Sequence, residues 1–196
     1  EKGYWVFRMG KAVNKALMAD HPHILDYANT PYRSDFLDIW LMANCFFCIS
    51  TGTGFSSVPV VFRKPIVFVN YIPIGMYNSC GENVMVPKKL LNKNTNQYLS
   101  FSEMLDHNFS RSENYKEARI RIVDAFPDEI KAAVLEMEHR LTGAWDEKDE
   151  DNQLQKLFWQ KFKAWSQFNK YQEWNHPEAR LSAKFLRDNS DWFLAG

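Results

Sequence analysis

The sequence contains little cysteine, glycine or proline, no net charge and no long apolar run. Three cysteines among 196 residues are few and odd in number, which favours a reducing, cytoplasmic setting over a disulfide scaffold. Eight glycines and eight prolines exclude a collagen-like or low-complexity chain. No apolar stretch approaches the ~20 residues that a spanning helix requires, so the sequence predicts no transmembrane segment.

The remaining composition is that of a folded protein with a substantial core. Hydrophobic residues make up 45% of the chain and aromatic residues 15%, and the length allows one domain with a small appendage. Lysine and arginine total 24, as do aspartate and glutamate, so no overall field attracts nucleic acid as a partner. Residues 1–100 carry 10 basic and 6 acidic side chains, and we therefore expect an anionic ligand in the first half.

Two pairs of residues have the spacing of a metal site, but their surroundings argue against one. Cys45 and Cys48 lie in an apolar run typical of a buried strand, where positions three apart point to opposite faces. This favours two buried thiols over a metal or redox pair. His21 and His23 have no third ligand nearby, which favours a role in a turn. We therefore expect no metal.

The first 70 residues alternate between strand-like and helix-like patterns. In order, the sequence predicts a buried strand over 4–9, a strand over 23–28, a helix from Ser34 or Asp35 to Asn44, a buried strand over 45–50, a tight turn over 51–54, a short helix over 56–62 and a strand over 66–70. The first helix places Phe36, Ile39, Trp40 and Ala43 on its apolar face. This order is typical of a parallel sheet with crossover helices, or half of a doubly wound α/β fold.

The second half begins with a long irregular segment and then becomes mostly helical. In order, the sequence predicts a loop over 71–97, a helix that begins at the capping box of Ser100 and Glu103, an edge strand within 118–126, a helix from Pro127 to Gly143, an aromatic helix from Leu154 to Phe168 and a last helix over 178–187. We expect a sheet domain over residues 1–145 and a helical extension over 146–196 that packs on it.

Polar segments follow two of the predicted strands, at the sheet edge where open α/β sheets bind ligands. The first contains Arg8, Gly10 and Lys11, where the guanidinium can hold an anion; an Arg8 stem that packs while its head reaches water is the alternative. The second is a hydroxyl-rich turn followed by a helix start, which favours a phosphate. Its candidate ligands are Thr51, Gly52, Thr53, Gly54 and Ser56. This turn is neither a P-loop nor a complete dinucleotide fingerprint.

Two carboxylates lie at the start of the first predicted helix. Asp35 and Asp38 are three residues apart and share a helix face. Capping and compensation of the helix dipole explain Asp35 equally well. Asp38 lies one turn further in, where it can accept hydrogen bonds from a base or a ribose. We expect Arg8, the glycine turn and Asp38 to converge on one crevice.

Several spaced motifs occur along nearly the whole chain. They are Trp5-Val-Phe-Arg-Met-Gly-Lys11, Arg33-Ser-Asp-Phe-Leu-Asp-Ile39, Phe47-Cys-Ile-Ser-Thr-Gly-Thr-Gly54, Pro65-Ile-Val-Phe-Val-Asn70, Leu135-Glu-Met-Glu-His-Arg-Leu-Thr-Gly143 and Ala179-Arg-Leu-Ser-Ala-Lys-Phe-Leu-Arg187. In this order the motifs resemble those of a bacterial family of glycosyltransferases. More remotely, the Asp-bearing helix, apolar strand and Ser/Thr-rich turn look like the donor-binding half of fucosyltransferases that use GDP-fucose.

The resemblance implies a metal-independent hexosyltransferase of the GT-B type, in which two Rossmann-like domains face a cleft. This chain would be the C-terminal half, which binds the nucleotide sugar, GDP-linked in the fucosyltransferases. Arg8 would bind the donor diphosphate, Asp38 the base or ribose, and residues 51–54 with Ser56 the phosphates. The missing N-terminal domain of the same polypeptide would hold the acceptor and the catalytic base. No further cofactor is implied.

The resemblance also bears on cellular place and on domain contacts. Surface-glycan assembly would put the protein in the cytoplasm, peripherally at the inner face of the membrane. The last helix of such enzymes often crosses back to the first domain, so Trp165 and Trp174 are candidates for an interface. Two other functions stay open, a nucleotide-sugar epimerase and a non-catalytic nucleotide-binding or assembly module.

Overall fold

The apolar runs of the sequence form strands in the computed structural model, which describes residues 2–172 and 176–196. Within those residues the strands are β1 (Val6–Phe7), β2 (Ile24–Leu25), β3 (Cys48–Ser50), β4 (Ile66–Tyr71), β5 (Asn83–Pro87), β6 (Lys89–Asn92), β7 (Gln97–Tyr98), β8 (Ile120–Val123) and β9 (Arg180–Leu181). The helices are α1 (Asp35–Asn44), α2 (Ser57–Val61), α3 (Phe101–Asp106), α4 (Ser112–Glu117), α5 (Pro127–Thr142), α6 (Asp149–Ala164), α7 (Phe168–Tyr171) and α8 (Ala183–Phe193). The fold is thus mixed α/β.

The chain divides into two compact units, the first ending at Cys45 and the second beginning at Phe46. The first contains α1 and the strands β1 and β2, which pair in parallel. Ser34 caps α1 as expected, because its Oγ accepts a hydrogen bond from the Leu37 N–H at 3.2 Å. The division expected near residue 145 stays a prediction.

The burial predicted for the first unit is wrong in two places. On α1 the expected apolar face is exposed, with Phe36 72% and Trp40 50% accessible, whereas Asp38 and Met42 are buried. β1 is predicted to be buried, yet Val6 is 49% exposed. Both differences have one cause. A unit of this size with a two-stranded sheet forms only a small core, so it cannot bury all the large apolar side chains of α1 and β1.

Four parallel strands form the main sheet of the second unit, in the order β3-β4-β5-β9. β4 and β5 lie at its centre, and Ile66–Val69 and Val84–Val86 are buried there, which explains their continuous apolar sequence. α5 packs on β4 and β5, and α8 packs on α5 and α6. The prediction of a parallel sheet flanked by helices is confirmed.

The long loop predicted over residues 71–97 is wrong, because this segment contains β5 and β6. β6 pairs antiparallel with β7 and β8 in a second sheet of three strands. Lys89 made the segment look polar, but it is only 4% exposed and its Nζ lies 2.7 Å from Glu129 Oε1. A buried ion pair therefore hid a strand from the hydropathy pattern. β8, at one edge of this sheet, confirms the edge strand predicted within 118–126.

Residues typical of helix ends correctly predicted where α3 begins and where α5 begins and ends. The capping box begins α3, because the Ser100 N–H donates to Glu103 Oε2 at 2.7 Å. α5 begins at Pro127 as expected and ends before Gly143, whose φ of 71° is the left-handed conformation typical of a helix stop.

The C-terminal helices agree with the sequence less well. α6 buries Phe158 and Phe162, as the aromatic stripe predicts. The last helix is displaced from the predicted range 178–187, because residues 180–181 pair with β5 as strand β9 and α8 begins only at Ala183. Among the described residues no helix is both long enough and apolar enough to cross a membrane.

Candidate functional site

A hollow of about 260 Å³ lies beyond the carboxyl ends of β3 and β4 in the second unit. Its walls are formed by Gly52, Thr53, Gly54, Ser56, Ser57, Phe68, Tyr71 and Asn78. These residues offer hydroxyl and amide groups but no charged side chain. The hollow therefore joins four of the five turn residues predicted to bind a ligand; the remaining one, Thr51, is exposed and does not line it.

The glycine turn is closed by hydrogen bonds between its own residues. Ser50 Oγ accepts a hydrogen bond from the Gly52 N–H at 3.2 Å and lies 2.6 Å from Ser56 Oγ. Gly52 has a φ of +78°, and a Cβ at this position would lie 2.6 Å from Tyr71 Cε2. The turn thus needs glycine at position 52 for its backbone conformation and for the close approach of an aromatic ring.

A bulge in β4 turns Tyr71 towards this turn. The parallel register with β5 skips Asn70, which has a φ of 53° and whose Oδ1 accepts a hydrogen bond from the Ala125 N–H at 2.7 Å. As a result Tyr71 and Phe68 share one side of the strand, with ring centroids 5.1 Å apart. The Tyr71 hydroxyl donates to the Met76 carbonyl at 2.7 Å, and burial raises the pKa of the phenol. Tyr71 is therefore a neutral, fixed wall of the hollow.

The sequence did not identify Ser57, Phe68, Tyr71 or Asn78 as part of a site. Tyr71 and Asn78 fall in the segment that was predicted to be an irregular loop, where no side chain could be assigned a position. Ser57 lies in the hydroxyl-rich segment that follows the turn, so its residue type was the signal that could have placed it in the site. Phe68 has the sequence of an ordinary core residue in a central strand.

In the first unit, Arg8 is engaged by Asp26. Arg8 Nε donates to Asp26 Oδ1 at 2.6 Å, and Arg8 Nη1 donates to the Lys15 carbonyl at 2.8 Å. Asp26 Oδ2 also accepts hydrogen bonds from the Leu17 N–H and from Asn29 Nδ2, both at 2.9 Å. The parallel register that pairs Phe7 with Leu25 places the next two residues, Arg8 and Asp26, side by side. A ligand that binds Arg8 must replace this carboxylate.

Replacing Arg8 by glutamine is expected to raise the pKa of Asp26 towards its usual value of 3.8. The hydrogen bond from Arg8 is the main cause of the lowered pKa, followed by the Leu17 N–H. Because the folded pKa is lowered, the pair stabilises the unit above the usual carboxyl pKa, and this contribution disappears as the pH falls through the lowered value. The carboxyl carbon shift of Asp26 in an NMR titration measures the change.

Lys11→Gln is the control for that titration, because Lys11 is an exposed cation near Arg8 in sequence. We expect it to leave the Asp26 titration as in the parent chain. An Asp26 titration that is the same in the Arg8→Gln variant and in the parent would mean that the ion pair does not form in solution.

The carboxylates of α1 are held by a neighbouring arginine. Arg33 Nη2 lies 2.5 Å from Asp38 Oδ2 and 3.7 Å from Asp35 Oδ1. Asp38 is buried, whereas the Asp35 side chain is 88% exposed. Gly10 has a φ of +143° and Lys11 is exposed. Gly10, Lys11, Asp35 and Asp38 belong to the first unit, and their convergence with the glycine turn stays a prediction.

The remaining candidates are the cysteine pair and the histidine pair that have the spacing of a metal site. Cys48 is buried and Cys45 is half-buried. The His21 and His23 rings meet edge to face, with centroids 5.5 Å apart, and the His23 N–H donates to His21 Nδ1. In the part of the chain that the structure describes, no three His, Cys, Asp or Glu side chains are grouped to hold a metal ion.

Of the two tryptophans expected at an interface, Trp165 lies within the described residues. Trp165 is half-buried, and its ring stacks on Tyr171 with centroids 5.6 Å apart and on Phe162 with centroids 6.2 Å apart. Trp174 lies outside the described residues. Trp165 thus belongs to an aromatic cluster at the C-terminal end of α6.

Comparisons with known proteins give no relative for this chain. No protein-family model matches the sequence, and neither a curated protein nor a solved structure is significantly similar to it. The resemblance to glycosyltransferases therefore rests on the sequence motifs alone.

Proposed function

We propose that the chain is the donor-binding half of a GT-B glycosyltransferase, and that the hollow beside the glycine turn receives the diphosphate of a nucleotide sugar. One observation carries this proposal: a hollow rich in hydrogen-bond donors lies at the carboxyl ends of two adjacent parallel strands. This is the position at which open α/β sheets bind nucleotides.

The chemistry of sugar transfer gives such a hollow its role. When the glycosyl bond breaks, negative charge grows on the diphosphate leaving group. Fixed donors stabilise that charge without reorganising at the moment of reaction. Thr53, Ser56 and Ser57 line the hollow, and their hydroxyls are candidates for such donors. Hydrogen bonds of this kind can stabilise the leaving group without a metal ion, and we propose a metal-independent reaction.

The residues of the first unit have their own proposed roles. Arg8 is proposed to bind a phosphate and Asp38 to bind the base or ribose. Each role has an energetic cost. Arg8 must give up its hydrogen bond to Asp26 in order to bind a phosphate, and Asp38 must bind the ligand while it also pairs with Arg33. An anionic ligand can replace Asp26 because both offer the guanidinium a pair of oxygens.

Removing the two exposed hydroxyls of the hollow is expected to weaken nucleotide binding. In the double variant Thr53→Ala, Ser57→Ala, the dissociation constants of GDP and UDP should rise about 30-fold, because two charge-assisted hydrogen bonds are lost and each contributes roughly 1 kcal/mol. Both side chains are exposed, so the fold should not change. Calorimetric titration with GDP, UDP and their sugars measures the effect.

The matched control is the double variant Ser102→Ala, Ser110→Ala, which removes two exposed hydroxyls of the same unit outside the hollow. It should bind as the parent chain does. If the parent chain binds neither GDP nor UDP nor a nucleotide sugar, the proposed function is wrong. Binding that is equally strong in both double variants would remove the hollow from the site.

A further inference from the structure

Asn78 lines the hollow and is held in place from both sides of the chain. Its carbonyl accepts a hydrogen bond from Asn83 Nδ2 at 2.8 Å, and Asn83 is only 1% exposed at the start of β5. The flanking residues Tyr77 and Ser79 are fully buried. The Tyr77 hydroxyl donates to the Arg180 carbonyl at 3.2 Å, and the Ser79 hydroxyl donates to Gln172 Oε1 at 2.6 Å. The backbone at Asn78 therefore has little freedom.

The side-chain amide of Asn78 is oriented by a turn. Asn78 Oδ1 accepts a hydrogen bond from the Cys80 N–H at 3.2 Å, as in turns that begin with Asn or Asp. This contact fixes which end of the amide is the acceptor. In the described part of the chain the hydrogen bonds of Asn78 use its Oδ1 and its backbone but not its Nδ2 group. Because Asn78 lines the hollow, these two N–H donors are candidates for contact with a ligand.

No carboxylate lines the hollow beside this amide. Asn78, Thr53 and Ser57 line the same hollow, and none of these side chains carries a negative charge. A donor that is already oriented costs little entropy when a ligand binds. The set therefore suits an oxygen that carries negative charge and accepts several hydrogen bonds.

From this arrangement we infer that Asn78 is a ligand-binding residue that donates from Nδ2 to a phosphate oxygen of the nucleotide donor. The inference rests on the proposed function, since it assigns a further residue to the same hollow. The amide, rather than a lysine or arginine, then supplies recognition of the anion on this side of the site. The hollow should therefore bind poorly any ligand that presents a hydrogen-bond donor to Asn78 Nδ2, because an N–H group cannot accept a hydrogen bond.

Asn78→Asp tests this assignment with the smallest change of shape. The remaining carboxylate oxygen of Asp can still accept from the Cys80 N–H, so the turn and the thermal unfolding temperature should stay close to those of the parent. In place of the Nδ2 donors, the variant presents a negative oxygen. Binding of GDP and of inorganic pyrophosphate, measured by calorimetry, should weaken about 30-fold or more.

Asn94→Asp is the control for the added charge, because Asn94 is exposed in the turn between β6 and β7. This variant should bind GDP and pyrophosphate as the parent does. If Asn78→Asp keeps the affinity of the parent for both probes, the assignment of Asn78 is overturned while the proposed function stands. If the parent binds neither GDP, UDP nor pyrophosphate, the proposed function is overturned, and the assignment of Asn78 with it.

Discussion

Replacing Lys89 by methionine is expected to lower the free energy of unfolding by about 3–5 kcal/mol, the usual cost of leaving one charge of a buried pair without its partner. Lys89 in β6 and Glu129 in the first turn of α5 are 4% and 5% exposed, with 2.7 Å between Nζ and Oε1. Lys89 Nζ also lies 4.7 Å from the Phe126 ring centroid. Methionine would fill the space but leave the Glu129 carboxylate buried. Urea unfolding followed by tryptophan fluorescence measures the loss.

The neighbouring residue provides the control. Lys88 Nζ lies 2.6 Å from Asp124 Oδ1, but the Asp124 side chain is 68% exposed. Lys88→Met should therefore cost no more than about 1 kcal/mol. The double variant Lys89→Met, Glu129→Gln should recover part of the loss, because it removes both charges together. Equal effects of the two single substitutions would show that burial of the Lys89 pair does not matter.

Gly52→Ala is expected to lower the free energy of unfolding by about 2–5 kcal/mol. A left-handed backbone conformation costs alanine roughly 1–2 kcal/mol, and displacement of a packed ring adds about 1–3 kcal/mol. The new Cβ would lie 2.6 Å from Tyr71 Cε2. Tyr71 cannot turn away freely, since its hydroxyl bonds to Met76 and its ring meets Phe68 edge to face. Denaturant unfolding is again the measurement.

Gly54→Ala separates these causes from a general intolerance of the turn. A Cβ at Gly54 would meet no atom within 4 Å, and Gly54 has no positive φ. Its substitution should change stability by no more than about 0.5 kcal/mol. Adding Tyr71→Ala to Gly52→Ala removes the ring contact, so a double-mutant cycle isolates that contribution. If Gly52→Ala and Gly54→Ala behave alike, the close approach of Tyr71 is not a constraint in solution.

The parts of the fold that the sequence predicted are those with local causes. The Ser100 capping box, the Pro127 start and the Gly143 stop each act within one helical turn, and the structure confirms all three. β4 was predicted because a central strand buried on both faces needs a continuous apolar run. The failures involve partners distant in sequence. Lys89 looked exposed until Glu129, 40 residues later, accounted for its charge.

The same contrast between local causes and distant partners applies to the candidate site. The glycine turn was found because its composition signals its backbone conformation, and it does line a hollow. Asn78 could not be predicted as a site residue, since its position depends on strand β5, which lies in the segment predicted to be a loop. The Arg8–Asp26 pair depends on the register of β1 against β2, which residue type alone does not give. Pairings between strands are therefore the information that a single sequence supplied least.

Strand β9 has a consequence for the order of events during protein synthesis. Arg180 and Leu181 pair with Val84 and Met85, so almost a hundred residues separate two neighbouring strands of one sheet. Until residue 181 has left the ribosome, β5 presents an open edge to which other nascent chains can add. A slow or interrupted translation beyond residue 92 would prolong that exposure. Chaperone dependence of the nascent chain should therefore be greatest in this interval.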